Sequence, residues 1–360
     1  MRKNFITNKK MKNKINIIYI TNSEKKPSGG VKIIYKHSEI INSINGVYSS
    51  EIIHIKKKKT SKWINSIKKK LKISNQKFSG WEFKDTEVNK NFKNRWFENK
   101  VKIKNNLNFD LKKDFVIIPE IFAHFSADLF IKQKINYAIF VQNGYALYPT
   151  NNLDKLNLAY KNANFIISYS KDISRCVILA FPFCKNKIIK SSYSITVKKL
   201  KTNKSNIITY MPRKLSDHSQ LLLFFLKNHL PKNWKVKPLD NLTENEVYRN
   251  LYKSKIFLSF SKLEGLPLPP VEAGLTGNKV IGYTGEGGKE YWKEPIYTEI
   301  KNGEFYNFAN KTILFTKKNK NFYKSKDYIK QFNLLNKKFS KREEKNNIEK
   351  FLTKIKRLYF

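Results

Sequence analysis

Cysteine is nearly absent from this 360-residue chain, which carries only Cys176 and Cys184. Two isolated thiols exclude a disulfide framework and a cysteine-rich zinc cluster, so both are expected to be reduced core residues. Acidic residues are scarce too, 28 Asp and Glu against 72 Lys and Arg, for a formal net charge of +44. Such an excess attracts polyanions in general. Arginine, however, occurs only at positions 2, 95, 175, 213, 249, 342 and 357, and the remaining positive charge is lysine amid abundant Asn and Ile. That pattern fits a compositional drift toward AT-rich codons better than a dedicated polyanion site. Long hydrophobic runs are missing: the most apolar stretch, Leu221 to Leu226, falls far short of the roughly 18 residues of a membrane span. The basic leader Met1 to Lys14 precedes only the short run Ile15 to Ile20, with no signal-type apolar region or small-residue cleavage site. A cytoplasmic location is expected, with contact at most with the inner face of a membrane.

Several chemical signatures are lacking as well. There is no Asp-x-Asp motif to hold a diphosphate through a divalent cation, no Gly-x-Ser-x-Gly elbow and no Walker loop. The histidines, at 37, 54, 124, 218 and 229, have no paired ligand spacing. They are expected to be surface or hydrogen-bonded core residues, and no metal is expected.

What is present is an alternating α/β pattern. With 40% hydrophobic and 14% aromatic residues the chain can build two cores. Short β-branched runs at Ile15–Tyr19, Glu51–Ile55, Phe115–Ile118, Ala138–Val141 and Phe165–Ser168 read as buried strands separated by helices. A second series follows at Ile207–Tyr210, Trp234–Val236, Ile256–Ser259 and Lys279–Tyr283. Parallel sheets covered by helices follow from this alternation. The polar stretch Thr196–Ser205 has linker composition. The expected organisation is therefore an N-terminal Rossmann-like domain over 1–195 and a C-terminal Rossmann-like domain over 196–335. A closing helix over 336–360, able to pack back on the first domain, completes it. Thr243 with Glu246 predicts a capping box, and Ile348, Phe351, Leu352 and Ile355 lie at helical spacing in the tail.

The most informative segment is Phe257 to Ala273, which runs FLSFSKLEGLPLPPVEA as strand, turn and helix start. It contains two carboxylates. Its prolines suit a first helical turn, which predicts Glu272 inside that turn and Glu264 in the preceding loop. Backbone N–H groups and a helix dipole would then face the carboxyl end of a parallel sheet, where phosphates bind in such folds, and Glu272 could accept ribose hydroxyls. Taken alone, the pair has a plainer reading: Glu272 complements the dipole and Glu264 is a solvated loop residue.

The surroundings of the two glutamates resemble the Glu-x7-Glu signature of retaining GT-B glycosyltransferases of the group 1, family 4-like kind. The match includes Ser261, Glu264, Gly265, Leu266, Glu272 and Ala273. The resemblance implies two Rossmann-like domains facing across a cleft, and transfer of a sugar from a nucleotide-diphosphate sugar to a hydroxyl with retention. Glu264 would contact the donor sugar near its reacting centre, and Glu272 would hold the nucleotide ribose. The loop Gly285-Glu286-Gly287-Gly288-Lys289-Glu290 matches the family's order of elements, Gly287 and Gly288 allowing close backbone approach to ligand. Thr209-Tyr210-Met211-Pro212-Arg213-Lys214 ends the first strand of the second series. The family places an Arg and Lys pair here on the leaving diphosphate, so Arg213 and Lys214 are candidates. The family's two cations are usually separated, whereas these are adjacent, and Lys214 is the weaker match.

In the first domain, Ser28-Gly29-Gly30-Val31 resembles the family's glycine-rich loop, and the helix it opens bears Tyr35 and His37; a plain turn is the alternative. Asn143 is the candidate polar residue near the sugar, and Glu120 and Ser170 lie at similar strand ends but could be a turn residue and an N-cap. No cofactor is implied beyond the donor substrate. The implied partners are a nucleotide sugar and a glycan or lipid-linked glycan acceptor of the cell envelope, with no specific nucleic acid. The basic stretch Lys56–Lys72 places Trp63, Ile64, Ile67 and Leu71 on one helical face. That pattern suits peripheral contact with an anionic membrane, although a solvated helix packed on its own domain fits slightly better. Two other functions compete: a nucleotide-sugar epimerase on the same fold, and a noncatalytic basic protein binding nucleic acid or anionic membrane.

Overall fold

The computed structural model describes residues 14–23, 28–44, 46–58, 81–93, 99–197 and 203–360. The first sheet is built from β1 (Ile15–Asn22), β2 (Tyr48–Lys57), β3 (Thr86–Val88), β4 (Lys102–Ile103), β5 (Asp114–Pro119), β6 (Tyr137–Val141), β7 (Phe165–Ser168) and β8 (Ile188–Lys190). Its order is β3-β2-β1-β5-β6-β7-β8, with β4 also on β2. β1 pairs in parallel with β2 and β5, and β5 with β6, while the short β3 is antiparallel. Every residue of β5 is buried and β1 is nearly so. Strands covered on both faces read as continuous apolar runs, which is why they stood out in the sequence.

The second sheet holds β9 (Ser205–Tyr210), β10 (Lys235–Pro238), β11 (Ser254–Glu264), β12 (Lys279–Glu286) and β13 (Tyr297–Glu299) in the order β10-β9-β11-β12-β13. All of its pairs are parallel. The helices are α1 (Gly29–Ser43), α2 (Leu153–Asn162), α3 (Lys171–Ala180), α4 (Ser216–Leu226), α5 (Glu244–Lys253), α6 (Leu268–Leu275), α7 (Phe305–Lys317), α8 (Lys326–Lys338) and α9 (Lys341–Lys356). The expected capping box opens α5: Glu246 Oε2 accepts from the Thr243 N–H at 2.8 Å, and Thr243 Oγ1 accepts from the Glu246 N–H at 3.4 Å. Ile208, Leu222, Leu226, Ile256, Leu258, Ile281 and Phe308 form the core on one side of this sheet.

Contacts divide the chain into two compact units. One holds the residues up to Phe140, Tyr148–Ile166 and Ile348–Phe360, and the other holds Val141–Leu147 and Ile167–Asn347. The boundary expected after residue 195 falls inside the second unit, because Ser170, Lys171 and Lys190 bond to residues of the second series. The expected closing helix over 336–360 is two elements, since α8 ends at Lys338 and α9 starts at Lys341. The later half of α9 belongs to the first unit, with Ile348, Phe351, Leu352 and Ile355 all buried and the Phe351 ring edge-on to Phe115 and Phe165. Trp63, Ile64, Ile67 and Leu71 of the basic stretch, and residues 198–202 of the linker, lie outside the described residues. No helix among the described residues is long and apolar enough to cross a membrane.

Candidate functional site

In the second sheet the strand order reverses between β9 and β11. In open parallel sheets ligands bind beyond the carboxyl ends of the strands at such a switch point. Both strands here deliver charged side chains to it. After β9 the chain passes through Met211, Arg213 and Lys214, which line a recess of about 60 Å³ with Ser259, Ser261, Glu264, Pro269 and Pro270. Lys214 Nζ lies 2.6 Å from Glu264 Oε2. Arg213 is exposed beside it. The recess therefore gathers Arg213, Lys214 and Glu264 at the switch point, the position where open parallel sheets bind ligands.

Glu264 was expected in a loop, but it is the last residue of β11, paired with Glu286 across a register shift that begins at Ser261. Within that shift Leu263 adopts a positive φ of 42°. A bulge re-aims the end of a strand, and here it turns Glu264 toward Lys214. Asn143 Nδ2 donates to the Leu263 carbonyl at 3.4 Å, while Asn143 Oδ1 caps the following turn by accepting from the Tyr145 N–H at 3.1 Å. Thus Asn143 braces the bulge backbone next to Glu264. Ser261 is half-buried in the same turn, its Oγ 3.2 Å from Ser259 Oγ.

The expectation for Glu272 needs a second correction. α6 starts at Leu268, with Pro269 and Pro270 inside its first turn and no acidic residue there, so Glu272 stands in the second turn. Proline is tolerated through the first turn because those N–H groups have no helical partner, and this lets the helix begin before the prolines. The same prolines leave two of the first three helical residues without an N–H. An anion at this helix end would consequently find few backbone donors and would depend on side-chain cations. The Glu272 Oε1 accepts from the Tyr248 hydroxyl at 3.0 Å. Burial, reinforced by the Glu272 charge, pushes the Tyr248 phenol well above its ordinary range, so it stays a donor.

The glycines near the two glutamates act as spacers between backbones. A Cβ on Gly287 would lie 1.8 Å from the Gly265 carbonyl oxygen, and one on Gly265 would lie 2.5 Å from the Gln142 carbonyl oxygen. Gly288 has more room, its nearest neighbour being Pro267 at 3.3 Å. Ser170 Oγ donates to the Gly265 carbonyl at 2.7 Å and also caps α3 by accepting from the Ile173 N–H at 3.1 Å. Of its two sequence readings, the N-cap is the one realised. Leu266 follows, half-buried, and the Tyr291 hydroxyl donates to the Pro267 carbonyl at 3.0 Å.

Tyrosines were the residues that motif reasoning missed. Besides Tyr248 and Tyr291, Tyr193 lies fully buried with its phenol raised by burial and by the charges of Glu272 and Glu264. No spacing rule links positions 193, 248 and 291 to the glutamate motif, so only the packing reveals them.

The first-unit candidates occupy another sheet. Gly29 and Gly30 form the first turn of α1 after Ser28, whose side chain makes no capping bond. Glu120 is buried in the 3₁₀ turn that follows β5. His37 stacks on Phe140 with ring centroids 5.5 Å apart, and Tyr19 reaches its Nδ1 at 3.4 Å. His54 Nε2 lies 2.7 Å from the Tyr35 hydroxyl and its Nδ1 3.1 Å from the Asn22 carbonyl. His124 Nε2 lies 2.8 Å from the Trp81 carbonyl, and His218 Nδ1 lies 3.0 Å from the Tyr283 hydroxyl. Four of the five histidines are therefore hydrogen-bonded structural residues. Cys184 is buried, whereas Cys176, expected in the core, is only half-buried. Among the described residues no cluster of three His, Cys, Asp or Glu could hold a metal ion.

No family model matches the sequence, and no curated protein matches it. Solved structures do match in fold. HepE of Anabaena, in complex with UDP-glucose, aligns with a TM-score of 0.64 at 11% identity over 94% of this chain and 100% of that one. TarM of S. aureus, in complex with UDP and alpha-GlcNAc-glycerol, gives 0.54 at 15% identity over 74% of this chain; the present chain spans 61% of it. The lipopolysaccharide outer core galactosyltransferase WaaB gives 0.53 at 12% identity over 89% and 99% of the two chains. At such identities the likeness is one of fold, and the expected class holds: the chain is α/β, with two Rossmann-like parallel sheets of the GT-B type.

Proposed function

We propose that this protein transfers a sugar from a nucleotide-diphosphate sugar to a hydroxyl acceptor with retention of configuration and without a metal. The observation that carries the reading is the Lys214–Glu264 pair, 2.6 Å apart at the switch point of the second sheet with Arg213 beside it. Cleavage of a glycosidic bond to a diphosphate puts negative charge on the leaving phosphate, and fixed cations stabilise that charge as it develops. Arg213 and Lys214 would do so here. Glu264, released from Lys214 as the phosphate takes over the ammonium, would sit against the donor sugar near its reacting carbon. Glu272, oriented by Tyr248, would accept ribose hydroxyls, since an ionised carboxylate offers about four acceptor positions.

The acceptor hydroxyl then attacks on the face from which the diphosphate departs, and the leaving phosphate takes its proton. HepE and WaaB, as solved structures with a UDP-sugar bound or a galactosyltransferase name, support the donor class. A glycan or lipid-linked glycan of the cell envelope is the proposed acceptor. The test is thermal stabilisation of the purified protein by UDP-, GDP-, ADP- and CDP-sugars, with Glu272→Ala as control, followed by the anomeric configuration of the product. A selective shift that the variant loses supports the donor site; an inverted product anomer overturns the mechanism. Conversion of the nucleotide sugar without any acceptor would favour an epimerase.

A further inference from the structure

The most apolar stretch of the sequence, Leu221–Leu226, forms the body of α4 and is apolar all round. One side of α4 buries Ser219, Leu222 and Leu226 in the second unit. The other side exposes Leu221 at 41%, Phe224 at 70% and Phe225 at 41%. These lie at i, i+3 and i+4, a single stripe along the helix. The neighbouring α7 extends it with Tyr306, 84% exposed, and Leu314, 50% exposed, and Phe225 meets Phe305 with ring centroids 6.3 Å apart. Helices apolar on every side belong in an interior, and contiguous exposed apolar surface marks an interaction site.

Charge selects the partner. From Leu221 to Leu239 the sequence has no acidic residue and lysines at 227, 232, 235 and 237. From Phe305 to Lys326 it again has none, with six lysines. Asp217 in the first turn of α4 and Glu304 just before α7 precede these stretches, and Asp240 and Asp327 follow them directly. A second copy carrying the same +44 would be repelled. The exposures of Phe224 and Tyr306 describe side chains that project from the surface, which suits insertion into a soft interface better than a groove for a folded partner.

We propose that the α4–α7 face docks on an anionic lipid bilayer. Phe224, Tyr306 and Leu314 enter the boundary between headgroups and acyl chains, and Lys227, Lys311 and Lys317 meet lipid phosphates. Apolar burial and attraction to anionic lipid add in such contacts. The proposal is independent of the transferase reading.

The experiment is co-sedimentation of the full chain with vesicles of phosphatidylcholine, alone or mixed with phosphatidylglycerol, against the charge-preserving double variant Phe224→Ser, Tyr306→Ser. The wild type is expected on the mixed vesicles, and the double variant at least about tenfold weaker, with an unchanged Tm. Should the double variant fail to fold, Leu314→Ser gives the same readout with a smaller loss. Equal binding by variant and wild type would overturn the proposal, since lysines elsewhere would then account for it. So would absence of binding to mixed vesicles, or a wild-type dimer in sedimentation velocity that the substitutions dissolve.

Discussion

The Lys214 ammonium stands 2.6 Å from a Glu264 carboxylate oxygen, linking the chain segments that leave β9 and β11. The Lys214 side chain is 42% exposed and that of Glu264 18%, so the pair contributes at most about 1 kcal/mol to folding. Its importance should lie in chemistry. Glu264→Gln is expected to lower kcat by about 10²- to 10³-fold with little change in Tm. Lys214→Met should weaken nucleoside diphosphate binding. Steady-state kinetics on Glu264→Gln and calorimetric titration of Lys214→Met check the two effects; a large loss of Tm with unaltered kinetics would make the pair structural.

Tyr248 acts through Glu272 and should behave as a positioning residue. Tyr248→Phe removes a hydrogen bond to a carboxylate, an expected cost of about 1.5–3 kcal/mol in denaturant unfolding. It should also raise the donor KM about tenfold while kcat moves less, because the ribose contact is made in both ground and transition states. An unchanged KM would detach Tyr248 from donor binding.

Gly287 and Gly288 should respond differently to the same added methyl. At Gly287 the Cβ would overlap the Gly265 carbonyl oxygen at 1.8 Å, whereas at Gly288 its nearest contact is 3.3 Å. Gly287→Ala is expected to cost about 1–3 kcal/mol and to displace the Glu264–Gly265 turn, and Gly288→Ala under about 1 kcal/mol. Thermal denaturation of the two variants decides; equal Tm values would show that the two backbones separate easily.

Acid stability should depend on His54. Burial lowers its pKa from 6.5 to about 4, outweighing the hydrogen bond to the Asn22 carbonyl, which acts in the opposite direction. The unfolded chain binds a proton at this position below pH 6.5 while the folded chain refuses it until about pH 4. The contribution to stability is thus complete above the unfolded pKa and is lost as pH falls from 6.5 toward 4, by about 3 kcal/mol in all. His54→Gln should flatten this part of the pH–stability curve. A curve of the same slope in variant and wild type would assign the acid sensitivity to other groups.

Much of the fold could be read locally. β7 has the bounds expected, Phe165–Ser168, and β1, β2, β5, β6, β9, β11 and β12 contain their β-branched runs. The α5 capping box was legible because it joins residues three apart. The short strands β3, β4, β8 and β13 went unseen, since two or three residues hold no detectable period. In the candidate site, the glutamates, Arg213, Lys214 and the glycines were named from the motif, but the settings of Glu264 and Glu272 were each misplaced. A bulge and a helix start before the prolines decided those settings, and neither has a unique local signature.

Residue type and short-range order determined the strand series, the helix caps and the identity of the charged groups, because φ/ψ preference and side-chain period act over a few residues. Tertiary structure decided which of those groups meet. Ser170 reaches Gly265 across 95 positions, Asn143 reaches Leu263 across 120, and Glu272 finds Tyr248 from a different helix. Such meetings follow from strand order and close backbone packing, and local propensity carries no information about either.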